Sequence, residues 1–143
     1  MSSKKPTHTI LCPCGAAQTY AQCCGAYHSG AQHAATAQAL MRSRYCAYVL
    51  NNFDYLRASW HPSTCPSDLG EHDDAQVPTK WMGLNIKKSW QGEGADEAFV
   101  EFIAKYKVRG NGVERLHEVS RFVREDGRWF YVDGVFVNDS VSG

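Results

Sequence analysis

No stretch of this sequence approaches the roughly 20 consecutive apolar residues that a membrane-spanning helix needs, so a helical anchor is not expected. Met1 to Leu11 carry Lys4 and Lys5 but no apolar run long enough for a secretion signal, and the cytoplasm is the expected compartment. Neither sign of charge dominates: 15 Lys and Arg balance 15 Asp and Glu. A chain of zero formal charge lacks the global basic field that draws proteins to nucleic acid. A nucleic-acid partner is therefore not expected, although Arg42 and Arg44 lie close in sequence, as do Arg121, Arg124 and Arg128. A catalytic triad is missing as well. His8, His28 and His33 fall in a lead and a linker, and His61 precedes Pro62 at a helix end, where it suits a partner for the helix C-terminus. His117 and Glu118 are neighbours that point to opposite faces of a strand.

Cysteine is what the sequence has, and in one place. Cys12, Cys14, Cys23 and Cys24 follow the pattern C-x-C-x(8)-C-C, so four of six cysteines fall within a short knuckle. Neither close pair reaches disulfide geometry easily, whereas four gathered thiolates suit a closed tetrahedral zinc site with Zn–S distances of about 2.3 Å. A reducing compartment favours the same reading. A pair of crossed disulfides in a secreted mini-domain is the alternative. Gly15 and Gly25 each follow a ligand, where positive φ is expected to turn backbone N–H groups toward sulfur. A short helical turn over 17–23 is expected to carry Cys23 and Cys24, with Tyr20 packed against it. His28 or His33 has the chemistry to stand behind the metal ligands. Cys65, alone in a polar connection, reads as an incidental surface thiol.

The remainder divides into a linker at 26–35 and an α+β body at 36–138, with the knuckle at 10–25. Thr36 is the expected N-cap of a helix over Ala37–Leu50, in which Leu40, Met41, Tyr45, Tyr48 and Val49 recur near a period of 3.6. Asn51-Asn52 stops it, and a second helix is expected from Phe53 to Trp60. Residues 61–79 form a long connection with an acidic run at Glu71, Asp73 and Asp74. Beyond Pro78 the period changes to 2, giving strands at 81–90, 98–108, 114–124 and 128–137. Met82, Leu84 and Ile86 share one face of the first strand. Helices followed by an antiparallel meander predict a curved sheet wrapped around the first helix.

Asp126-Gly127 is a two-residue hairpin turn, and counting back from Glu125 opposite Arg128 pairs Phe122 with Tyr131, Ser120 with Asp133 and Glu118 with Val135. One face then holds Phe122, Trp129 and Tyr131 together with Glu118, Ser120 and Asp133. If that face is concave, Glu118 and Asp133 are the candidate bases of a pocket, with Ser120 beside them and Tyr45 or Tyr131 as hydrogen-bond donors. The competing reading has both carboxylates simply pairing with Arg42 or Arg44 of the helix.

The segment C-P-C-G-x(8)-C-C-G at 12–25 resembles the SEC-C motif, the zinc-binding module at the C-terminus of the SecA translocation motor. The last ligand there is often His; here Cys24 takes its place. The chain as a whole resembles the bacterial YchJ family through A-L-M-R-S-R-Y at 39–45, W-H-P-S-T at 60–64, W-M-G-L at 81–84, E-F-I-A-K-Y-K at 101–107 and L-H-E-V-S-R-F-V-R-E-D-G-R-W-F-Y-V-D-G at 116–134. The resemblance implies the cone-shaped α+β fold of nuclear transport factor 2. It also implies one structural zinc and a protein-interaction adaptor, docking an export or ribosome-associated partner through the knuckle, rather than an enzyme. The SecA-like contact with an export chaperone depends on basic residues, and none lies between Cys12 and Gly30. Some members carry a second knuckle; these residues contain one. The alternative function is a small ligand bound, or turned over, in the cavity of the cone.

Overall fold

The computed structural model describes residues 11–69, 79–108 and 110–137. The expected lead at 1–9 and the acidic run at 71–74 lie outside them. Three helices, α1 (Cys24–His28), α2 (Ala37–Leu50) and α3 (Phe53–Ala58), precede four strands, β1 (Thr79–Gln91), β2 (Glu97–Val108), β3 (Val113–Glu125) and β4 (Arg128–Phe136). The strands form one antiparallel sheet in the order β1-β2-β3-β4. This is the α+β arrangement expected from the change of period.

Local chemistry sets the helix boundaries. Thr36 is extended, and its Oγ1 accepts from Ala39 N at 3.0 Å, satisfying one orphan donor of α2. Asn51 closes the same helix in the left-handed region at φ +58, and Asn52 Oδ1 accepts from Tyr55 N to begin α3. α3 stops at Ala58 rather than Trp60 because the chain then becomes a strand partner. Tyr131 N donates to Ser59 O at 2.9 Å and His61 N to Tyr131 O at 2.8 Å.

α2 lies across the sheet and has two working faces. The first is turned to the strands, where Leu40, Met41 and Tyr45 are buried with Val100, Phe102, Ala104 and Phe122. Arg42, Ser43 and Cys46, at the spacing of adjacent helical turns, meet the knuckle instead. The body's core and the cysteine cluster are one continuous buried group.

Three register shifts correct the strand alternation, two in β1 (the second between Ile86 and Lys88) and one in β4. In β1 the register moves between Trp81 and Gly83, so Trp81 faces Tyr106 and Leu84 faces Ala104. Met82, expected beside Leu84 and Ile86, is the extra residue and stands 47% exposed; Trp81 takes its place on the core side. In β4 the register moves at Val132. Phe122 pairs with Tyr131 as expected, but Arg121 then pairs with Asp133, Ser120 with Gly134 and Glu118 with Phe136. An inserted residue sends every side chain beyond it to the opposite face.

Candidate metal cluster and inner pocket

The knuckle gathers its sulfurs without a large core. Cys12 N bonds to Gln18 O and Gly15 N to Cys12 O, and Gly15 supplies the turn at φ +87. Gly25 serves a different purpose from the positive φ expected of it. A Cβ there would meet Tyr20 O at 2.7 Å, so its lack of a side chain lets the two segments touch. The helical turn begins at Cys24 instead of ending there. The Sγ atoms of Cys12, Cys14, Cys23 and Cys24 lie within 4.8 Å of one another, with Cys12, Cys14 and Cys24 buried and Cys23 half-buried. Four convergent thiols with no carboxylate among them form a soft donor set suited to a closed tetrahedral metal site. Hydrogen bonds from Cys24 and Cys46 hold the Cys14 thiol below its ordinary value.

Three contacts join this cluster to α2. Arg42 Nη1 donates to Cys14 O at 2.9 Å. His28 Nε2 donates to Ser43 O at 2.8 Å, leaving Nδ1 to accept from the Tyr20 hydroxyl at 2.6 Å. Burial lowers the His28 pKa, in keeping with that neutral ring. His28 thus braces the knuckle from within the expected linker; among the described residues His33 makes no hydrogen bond to the cluster. The third contact is Cys46 of α2, fully buried, with Sγ 3.3 Å from Cys12 Sγ. Sequence reasoning missed Cys46. Its spacing from Arg42 and Ser43 on one helical face was the available signal.

On the opposite face of α2, the helix and sheet line a half-open cavity of about 230 Å³. Met41, Arg44, Tyr45 and Tyr48 of α2 form one wall, and Trp81, Phe102, Glu118, Ser120 and Tyr131 lie across from them. A larger depression of about 390 Å³ lies between the linker and α3, but the smaller space encloses more demanding chemistry. Ser120 is 1% exposed and Arg44 3% exposed. Arg44 Nη1 donates to Leu56 O at 3.0 Å and Ser59 Oγ at 2.7 Å, and its guanidinium lies over the rings of Trp60 and Tyr131. No carboxylate lies within ion-pair distance of Arg44 among the described residues. Burial lowers its pKa, while the phenols of Tyr48, Tyr131 and Tyr55 oppose that shift.

Glu118 reaches into the same space. Ser120 Oγ donates to its Oε2 at 2.8 Å, and Tyr131 OH lies 3.5 Å from the same oxygen. Burial pushes the Glu118 carboxyl above its ordinary value, against the pull of those hydroxyls and of Arg44. Burial, then the neighbouring Glu118, raises the Tyr131 hydroxyl. Gly134 makes this arrangement sterically feasible, because a Cβ there would collide with the Glu118 carboxylate.

Glu118, Ser120, Tyr131 and Tyr45 therefore line one cavity, and Asp133 does not. The bulge at Val132 turns Asp133 outward, where it is 54% exposed and accepts from Arg121 Nε at 3.1 Å. Neither carboxylate forms an ion pair with Arg42 or Arg44. His61 pairs with Glu125 at 2.8 Å rather than with a helix end, and His117 with Glu101 at 2.7 Å. Cys65 is half-buried, with its thiol toward Pro66 O.

Residues 36–134 match the family described as YchJ, middle NTF2-like domain, and residues 9–26 match the SEC-C motif. The chain belongs to the YchJ family. Similar YchJ relatives include a UPF0225 protein of Ralstonia nicotianae, 53% identical over 138 residues, covering 90% of this chain and 93% of the relative. Another, from Xanthomonas campestris, is 52% identical over 133 residues, covering 93% and 98%. The solution structure of a SEC-C motif protein from Rhodopseudomonas palustris matches with TM-score 0.71 at 33% identity, covering 89% of this chain and 98% of that one. The crystal structure of a SEC-C motif protein from Psychrobacter arcticus matches with TM-score 0.69 at 26% identity, covering 92% and 85%.

The segments that carried the YchJ resemblance have structural reasons in this chain. In W-H-P-S-T, Trp60 lies under Arg44, His61 pairs with Glu125, and Thr64 Oγ1 donates to Val132 O at 2.6 Å. That last bond fastens the connection to the bulge itself. In Y-V-D-G, Tyr131 and Gly134 frame the pocket while Asp133 is sent outside.

Proposed function

We propose that this YchJ-family protein is a zinc-stapled binding protein whose inner pocket takes a compact organic ligand. Cys12, Cys14, Cys23 and Cys24 would hold one structural Zn²⁺, which supplies cross-linking and no open coordination position. The observation that carries the reading is the sharing of α2. Its Arg42, Ser43 and Cys46 face the metal cluster, and its Met41, Arg44, Tyr45 and Tyr48 face the cavity. The metal then serves to hold the pocket wall.

At about 230 Å³ the space is smaller than the roughly 300–1,000 Å³ of drug-sized sites, so the ligand is small. Trp81, Phe102, Tyr45 and Tyr48 suit a flat or branched apolar body, and Arg44, Glu118, Ser120 and Tyr131 suit one polar head. The test is amide-shift NMR of the metal-loaded protein against a fragment set of compact aromatic acids, amides and phenols. Binders are expected to move Ala104, Leu116 and Ser120 signals in wild type and not in Ala104→Leu, which fills the space. Shifts that persist unchanged in the filled variant, or none with any fragment, would reject the pocket.

A protein docked on the knuckle is the second reading. One observation favours it: Leu11 is 65% exposed, beside the exposed, uncharged Gly15, Ala17, Gln18, Ala21 and Gln22. Leu11→Lys would abolish a defined interaction of this kind without changing metal content; retention of the partner by that variant would end the reading.

A further inference from the structure

Cys46 stands outside the four-cysteine motif, yet it is fully buried on α2 and belongs to the same knot of sulfur. Its Sγ is 3.3 Å from Cys12 Sγ, and Cys12 lies within 4.8 Å of Cys14 and Cys24. Cys23 lies within 4.8 Å of the same three: Cys14 at 3.7 Å, Cys24 at 4.0 Å, and Cys12. Cys12, Cys14 and Cys24 therefore form a triangle, completed by Cys23 from the motif and touched at Cys12 by Cys46 from the helix. The three triangle cysteines and Cys46 are all at most 4% exposed, and Cys23 alone of the five is half-buried.

We propose that Cys46 is a fifth ligand-competent thiol, able to replace Cys23 on the metal while Cys12, Cys14 and Cys24 stay bound. The inference rests on the metal reading of the cluster but not on the pocket. A tetrahedral thiolate site needs four sulfurs, and either set supplies four. In the exchange the metal–sulfur bond to Cys23 breaks and one to Cys46 forms. The Cys46 thiol proton passes to the departing Cys23 thiolate, so charge and protons balance and nothing is oxidised. The consequence is a site that exposes one reactive thiol, Cys23, without losing its metal. While Cys46 is bound, the metal links the knuckle directly to α2.

Cobalt(II) substitution counts the thiolates through the intensity of the sulfur-to-cobalt charge-transfer absorption. Wild type, Cys23→Ser and Cys46→Ser are each expected to show four-thiolate intensity. The Cys23→Ser/Cys46→Ser double variant is expected to lose about a quarter of it, one thiolate in four. Zinc affinity, read by chelator competition, is expected to fall within about tenfold for Cys23→Ser and by more than about a hundredfold for the double variant. Either single variant matching the double would overturn the proposal. Wild type gives a test that does not depend on a variant folding. Limited alkylation of the zinc-loaded protein, followed by native mass spectrometry, is expected to find the first adduct within the cluster on Cys23 with zinc still bound, the free Cys65 outside it being counted separately. First modification of any other cluster cysteine, or zinc lost with the Cys23 adduct, would overturn it.

Discussion

On one side, α2 leans on five clustered sulfurs that need little apolar area; on the other, it leans on a sheet rich in aromatics yet leaves about 230 Å³ unfilled. The sulfur side satisfies its polar groups among themselves and with the helix backbone. The sheet side keeps a buried arginine without a carboxylate at ion-pair distance among the described residues, and a carboxyl whose pKa burial raises. Close-packed interiors do not ordinarily tolerate both an unfilled space and buried charge. The difference teaches how one helix serves two surroundings: sulfur and backbone contacts complete its cluster side, while its opposite face lines an unfilled space.

Removing the metal attacks this contrast most directly. Chelation is expected to lower Tm by at least about 10 °C, equivalent to about 3 kcal/mol for a chain of this length. Amide signals of Arg42, Ser43 and Cys46 should broaden before those of β3. An unchanged Tm in calorimetry would mean that the pocket wall stands without the staple.

A smaller effect is expected on the sheet side. Gly134→Val places a branched side chain where the Glu118 carboxylate lies, at a cost of about 1–3 kcal/mol in denaturant unfolding. Metal content should stay at wild-type level in the same sample, because Gly134 touches only the pocket. Coincident loss of metal would show that the two faces are coupled more tightly than separate use of α2 implies.

The smallest effect concerns protons. Burial raises the Glu118 pKa above the ordinary glutamate value of 4.5, so the folded protein binds the proton more strongly than the unfolded chain does. The stabilising contribution of that linkage is complete below pH 4.5 and fades as pH rises through the folded pKa. Comparing wild type with Glu118→Gln across this range should give a stability difference that moves against wild type with rising pH, then levels. A pH-independent difference in denaturant midpoint would mean that Glu118 titrates as it does in the unfolded chain.

Much of this was legible from local chemistry. The caps Thr36 and Asn52, the stop at Asn51 and the turn at Asp126-Gly127 all rest on side chains acting within a few residues of themselves. The cysteine spacing was equally readable, because a knuckle is specified by its own short loop. What sequence could not supply was the placement of the extra residues in β1 and β4. Alternation is a period-2 rule with no memory of an insertion, so Met82 and Asp133 were assigned to the wrong faces. For β4 the contacts that hold the bulge are visible only in three dimensions: Ser59 and His61 bond to Tyr131, and Thr64 takes hold of Val132, from a segment about seventy residues earlier. Cys46 escaped for a related reason, since no spacing within the motif points to a helix that begins beyond it.

The bulge at Val132 has an electrostatic consequence. Regular pairing would have placed two acids inside the chamber with Arg44, giving an interior of net negative charge. One inserted residue leaves a single acid opposite a single base, so the chamber can be neutral overall while still strongly dipolar. The polarity of the interior is therefore encoded by strand length as well as by residue identity: a single-codon deletion at this point would turn a balanced chamber into an anionic one.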